Sequence, residues 1–236
     1  MVRSLVYVVR HVSGHSDISW STEVTGFAHA QDSRLLGHLF STVAMKKVFS
    51  DTATLQCWLE VEAALARVQS DLNLIPEGAA DAISAACAPD KYDLEQLGVE
   101  IAAASHPLTP IIAAVEANSG SYGQYVHFGA TTQDILDTGL VLQMRSGLEL
   151  LVETHQHLLQ ACILQAKTWR DLPMAGRTHG QHAVPITLGL KFALLASEIK
   201  RHLDRLDDLV TMLPVQFAGA AGTLATLGPD GERGRA

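Results

Sequence analysis

Cysteine is scarce in this chain. Three residues, Cys57, Cys87 and Cys162, lie far apart among 236. Their odd number and wide spacing exclude a disulfide framework and a zinc ribbon. Cys57 and Cys162 fall in apolar helical patterns and read as buried reduced thiols, which fits a cytosolic setting. Long apolar runs are missing too. None approaches the ~18 residues of a membrane span, and Leu5-Val-Tyr-Val-Val9 is too short for a secretory core. Positive charge is in deficit, with 17 Lys and Arg against 25 Asp and Glu and a net charge of −8. That balance argues against a nucleic-acid surface while leaving room for a locally basic anion pocket. Neither a Gly-x-Gly-x-x-Gly segment nor a phosphate loop with Gly-Lys-Ser/Thr occurs, so no cofactor is expected. His179 and His182 stand three apart across Gly180, and His155 and His157 stand two apart on different helix faces. No further ligand follows at zinc-site spacing, so no metal site is expected.

What is present is helix. The apolar fraction of 47% is ample for a core, and the length permits one large or two small domains. Residues 1–31, rich in Ser and His without sustained period, read as a loosely ordered leader. From Ser50 or Asp51, Leu55, Trp58, Leu59, Glu62, Leu65 and Val68 recur at helical spacing until Asn73 and Pro76. Pro76 is placed to open a helix through Ile83 to Ala86. Helices over Leu94–Ala104 and Pro107–Ala117 follow. Asn118-Ser-Gly-Ser-Tyr-Gly123 is a cluster of helix breakers. It divides an N-terminal helical domain, 32–118, from a long-helix domain, 119–236. The first long helix spans Thr132 to Trp169 and would be ~55 Å long. The second spans Pro185 to about Leu213, closed by Pro214 and Gly219. No strand alternation stands out. The fold class is all-α, and helices of this length need other helices, including those of other chains, to cover their apolar stripes.

Two segments carry the chemistry. Met174-Ala-Gly-Arg-Thr-His-Gly-Gln-His-Ala-Val-Pro-Ile-Thr-Leu-Gly-Leu-Lys191 gathers a cation, hydroxyls, an amide and imidazoles where Gly176, Gly180 and Pro185 forbid helix interior. It reads as a loop that feeds a helix at Pro185. Val126-His-Phe-Gly-Ala-Thr-Thr-Gln-Asp-Ile-Leu-Asp-Thr138 places Thr131 and Thr132 at a helix start, with Asp134 completing a capping box. Free amides and two hydroxyls at such a start suit a carboxylate or phosphate.

Together these segments resemble the first two signature regions of the fumarase/aspartase superfamily. Gly176-Arg-Thr-His-Gly-Gln-His-Ala183 most resembles adenylosuccinate lyases. His127-Phe-Gly-Ala-Thr-Thr-Gln-Asp134, Gln216-Phe-Ala-Gly-Ala-Ala-Gly-Thr-Leu224 and Phe49-Ser-Asp-Thr-Ala-Thr-Leu-Gln-Cys-Trp-Leu-Glu-Val-Glu-Ala-Ala-Leu65 lean towards 3-carboxy-cis,cis-muconate cycloisomerases. The resemblance runs from about Asp32 to Gly228. It implies elimination of fumarate from a small anionic succinyl compound, or a related cycloisomerisation, in a cytoplasmic homotetramer built around a bundle of long helices. The superfamily's third signature, roughly Ser-Ser-x-Met-Pro-x-Lys-x-Asn-Pro, is not found in these residues. The expectation is therefore an N-terminal half, inactive by itself and without an assignable base, or a non-catalytic assembly protein.

The resemblance also assigns roles. Carbanion formation beside a carboxylate needs hydrogen-bond donors around that carboxylate, with an acid near the leaving group. His179 matches the acid, since imidazole holds and gives up a proton near neutral pH. Thr131 and Thr132 match carboxylate-binding positions. Arg177, Thr178 and Gln181 are expected to contact substrate. His106 matches a second active-site histidine, although Pro107 stands where the family carries an acid. His127 and His182 are expected to support the site from behind.

Overall fold

The computed structural model describes residues 29–231, so most of the leader expected over 1–31 lies outside the described residues. Two units divide the chain, Met1–Thr42 and Val43–Ala236. The described part of the first holds short 3-10 turns at Ala30–Asp32 and Gly37–Leu39. Between them, the buried Ser33 hydroxyl accepts the N–H groups of Leu35 and Leu36.

The second unit opens with α1 (Val43–Val48) and α2 (Asp51–Asp71). Ser50 caps α2, its Oγ accepting the Ala53 N–H at 3.3 Å. The buried side of α2 carries Leu55, Leu59, Glu62, Ala63, Ala66 and Gln69, a helical stripe with two polar members. α3 is Ala79–Ala86, starting after Pro76 rather than at it. Gly78, at φ +83°, takes the left-handed conformation that a helix beginning at Pro76 could not contain. α4 is Leu94–Ala104, capped by the Asp93 carboxylate on the Glu95 and Gln96 N–H groups. α5 is Thr109–Asn118, two residues later than the expected start at Pro107. The breaker cluster becomes a 3-10 turn, Gly120–Tyr125. Leu59, Ile83, Ile111 and Val115 of these elements and Leu108 before α5 close a core with Ile135 of the next helix.

That helix, α6, is Thr132–Thr168, 37 residues, as the sequence pattern indicates. The following segment departs from the expected loop. It folds as an antiparallel hairpin, β1 (Pro173–Thr178) and β2 (Gln181–Thr187), with Thr178 opposite Gln181 and Arg177 opposite His182. The reason lies at the tip. His179 and Gly180 have φ of +51° and +72°, the sign pattern of a two-residue hairpin turn matched to strand twist. Gly176 sits at an irregularity in the ladder, where a Cβ would stand 2.7 Å from the Val184 carbonyl oxygen. Pro185 is tolerated because a two-stranded ribbon has only edges. α7 is Leu188–Met212, three residues after Pro185, because Thr187 provides its cap by accepting the Leu190 N–H.

α7 runs back along α6. Gly189 meets Ala166 and Arg170 backbone, His155 faces His202 at 6.4 Å between ring centres, and Cys162, Ala196, Ile199 and Leu203 pack between them. Among the described residues no helix is long and apolar enough to cross a membrane.

Candidate functional site

The start of α6 is held by a buried carboxylate. Asp134, 1% exposed, accepts the Thr131 N–H at 3.0 Å, the capping-box contact expected from sequence. It also accepts the N–H groups of Ala218 and Gly219, each at 3.0 Å. One turn on, the Thr138 hydroxyl donates to the Gln216 carbonyl and accepts the Gln216 N–H. One face of α6 thus clamps the Gln216–Gly219 segment beside Thr131. An open cleft of about 770 Å³ lies along this join, walled by Thr131, Gln133, Asp137 and Val141 of α6 and its cap, by residues 214–220 and by Gly222.

His106 is the second component. Its Nδ1 accepts the N–H groups of Leu108 and Thr109 at 3.2 and 3.3 Å, with the Thr109 hydroxyl at 3.1 Å. The ring therefore caps α5, which explains why that helix starts at Thr109 and not at Pro107. With Nδ1 used as acceptor, the ring proton belongs on Nε2. Nε2 lies 3.4 Å from the Thr132 hydroxyl. The turn role and the site role of His106 thus coexist in one ring, and two of the expected site residues, His106 and Thr132, meet.

Behind the turn, His127 Nδ1 is 2.6 Å from Glu62 Oε1. The family resemblance singled out His127, and helical spacing gave Glu62 only a place on a stripe. The signal that could have found it is a carboxylate among Leu59, Ala63 and Ala66, a position where charge is seldom left unpaired.

Arg177, Thr178, His179 and Gln181 lie together on the exposed hairpin. The hairpin is fixed to the far end of α6, where Leu188 and Gly189 N–H groups donate to the carbonyls of Leu172 and Trp169. The intervening helix of 37 residues is ~55 Å long. Within one chain, the hairpin groups and the His106–Thr132 group are therefore not brought together. Among the described residues, no three or more His, Cys, Asp or Glu side chains are grouped to hold a metal ion. Cys57 is only half-buried, not buried as its pattern suggests, whereas Cys87 and Cys162 are buried.

The lyase family matches residues 40–234, and the chain belongs to that family, within the fumarate lyase superfamily. It is similar to N-acetyl-S-(2-succino)cysteine lyase of Enterococcus italicus, with 38% identity over 86% of this chain and 45% of that protein. It is also similar to adenylosuccinate lyase of Methanocaldococcus jannaschii, with 36% identity over 83% of this chain and 43% of that protein. Among solved structures, 3-carboxy-cis,cis-muconate lactonizing enzyme from Pseudomonas putida superposes with a TM-score of 0.81 and 40% identity, over 86% of this chain and 47% of that one. The chain spans less than half the length of these relatives.

Proposed function

We propose that this chain carries two of the surfaces of a fumarate-lyase-type active site, which eliminates fumarate from a succinyl-substituted amine by general acid/base anti-elimination. The observation that carries this reading is the His106–Thr132 contact at the capped start of α6. A ring that donates from Nε2 to Thr132 leaves the threonine's own proton free for a substrate carboxylate. Thr131 and Thr132 then stabilise the charge that builds on that carboxylate as the adjacent carbon gives its proton to a base supplied from outside these two surfaces. His179 gives a proton to the departing nitrogen. Arg177, Thr178 and Gln181 contact the anionic substrate. The ~55 Å between the two groups supports a site completed by neighbouring copies, with the hairpin of one chain set beside the threonine turn of another in a homotetramer. The similarity to a succinocysteine lyase extends the leaving group to a thiolate. A second reading, cycloisomerisation of a carboxymuconate, is favoured by the likeness to the lactonizing enzyme at 40% identity.

The test is fumarate release from adenylosuccinate and from an S-succinocysteine, followed by ultraviolet absorbance. The protein is a chimera in which the remaining length of a relative follows this chain. The 236 residues alone should release none, even when assembled, because the third signature expected to supply the base is not found among them. Release by a monomeric preparation overturns the shared-site reading. Lactonisation of carboxymuconate without fumarate release replaces the first reading with the second.

A further inference from the structure

α2 turns two polar side chains into its otherwise apolar buried stripe, Glu62 and Gln69, 2% and 1% exposed. Seven residues apart, they lie two helical turns apart on one face. Both reach the same short turn. Glu62 Oε1 meets His127 Nδ1 at 2.6 Å, and Gln69 Nε2 donates to the Phe128 carbonyl at 2.5 Å. The turn is closed by the Ala130 N–H on the His127 carbonyl. Its backbone is left-handed at His127 and Gly129, with φ of +59° and +73°. Histidine is among the few side-chain-bearing residues enriched there. A Cβ on Gly129 would stand 2.7 Å from Leu227 Cδ2, so the turn has little room to move. Its next two residues are Thr131 and Thr132.

Packing alone does not call for a carboxylate in this place. Glu62 Oε2 is buried without a hydrogen-bond partner among the described residues, an arrangement that costs stability. What the carboxylate does, and an apolar side chain could not do, is fix which ring nitrogen carries the proton and how the ring is oriented. We propose that Glu62 is a positioning residue for the threonine turn. It holds His127 as the Nδ1–H tautomer, and through the His127–Ala130 turn it sets where Thr131 and Thr132 present their hydroxyls. The inference rests on reading those threonines as the carboxylate-binding pair.

The experiment needs no turnover, so it stands or falls apart from the elimination itself. Long-range proton–nitrogen spectra of the imidazole rings and amide exchange are recorded on the 236-residue chain. In the wild type, His127 should carry its proton on Nδ1 alone. Glu62→Gln should mix the tautomers and speed exchange over residues 129–133 by about tenfold or more, with α3–α5 unchanged. His127→Asn tolerates the left-handed backbone and still offers Glu62 an N–H, so it should keep the slow exchange that His127→Leu loses. A wild-type ring protonated on Nε2 overturns the proposal. So does exchange that is unchanged over 129–133, or raised equally through α3–α5. Should Glu62→Gln fail to fold, the wild-type ring and the Asn–Leu comparison at position 127 decide.

Discussion

At His179 the backbone determines which substitution is informative. Its φ of +51° means that alanine adds roughly 1 kcal/mol of strain to whatever the lost imidazole does. Asparagine accepts that conformation and removes the titratable ring. In an active chimera, His179→Asn should lower kcat by about 10²–10⁴-fold with the thermal midpoint nearly unchanged. His182→Ala should cost far less activity. Near-wild-type turnover by His179→Asn would rule out the acid assignment. Cys87 lies buried close to Glu62. Burial first, and the Glu62 carboxylate second, push its thiol up to about 12 from 9.0, with Arg67 opposing. At pH 8 the folded chain should therefore hold about a thousandfold less Cys87 thiolate than an unfolded chain, and alkylation followed by mass spectrometry should find it nearly inert. The folded value lies above the unfolded one, so nothing is lost below pH 9, and stability falls as pH climbs from 9 towards 12. Rapid labelling of Cys87 in the folded chain at pH 8 would contradict its placement.

Among the elements, α6 carries the join between the threonine turn and the Gln216–Gly219 segment. Asp134→Ala removes the acceptor of three N–H groups. It should destabilise the chain by roughly 3 kcal/mol or more and release the 216–219 amides to exchange in a denaturant and exchange series. A loss under about 0.5 kcal/mol, typical of an exposed position, would show that the clamp does little. The capping half of this arrangement was legible in the sequence, because Thr131 and Asp134 are three apart. The other half joins residues 84 and 85 positions apart, which no local spacing reveals. The same holds for Glu62 and His127, 65 apart. α2 and α6 were legible because Ser50 and Thr131 mark their starts locally. The hairpin was not, because Pro185 and two glycines read as breakers, and a histidine supplies the first positive φ of its turn in place of the usual Asn or Asp. Pro76 and Pro107 misplaced two helix starts for a related reason. Proline permits a first turn without compelling it, and here Gly78 and the His106 ring decide where the helix begins.

For the whole molecule, the distribution of leucine is the strongest argument for assembly. α6 buries Asp134, Ile135, Thr138, Gly139, Gln143, Gly147 and Cys162, mostly small or polar residues. Its leucines at 140, 151, 158 and 164 remain exposed in the single chain, as do Leu194, Leu195 and Leu209 of α7. The sequence pattern marks Leu140, Leu151, Leu158, Leu195 and Leu209 as stripe residues, yet the chain's own fold leaves them outside its core. The shortfall is not in either helix but in the number of helices available to cover them, and exposed apolar stripes of this extent drive association. Leu164 and Leu194 are 61% and 59% exposed, and each leucine fully buried contributes about 1.5–3 kcal/mol. Only the exposed three-fifths of each remains to be covered, so replacing both with Lys should weaken self-association by about one to three orders of magnitude, while Cys162, Ala196, Ile199 and Leu203 still hold α6 to α7. Sedimentation across a wide concentration range should show wild-type oligomers and a double variant shifted to monomer, with helical circular dichroism retained. A wild-type chain that stays monomeric throughout would remove the basis for a site shared between copies, since one ~55 Å helix would then keep His179 and Thr132 permanently apart.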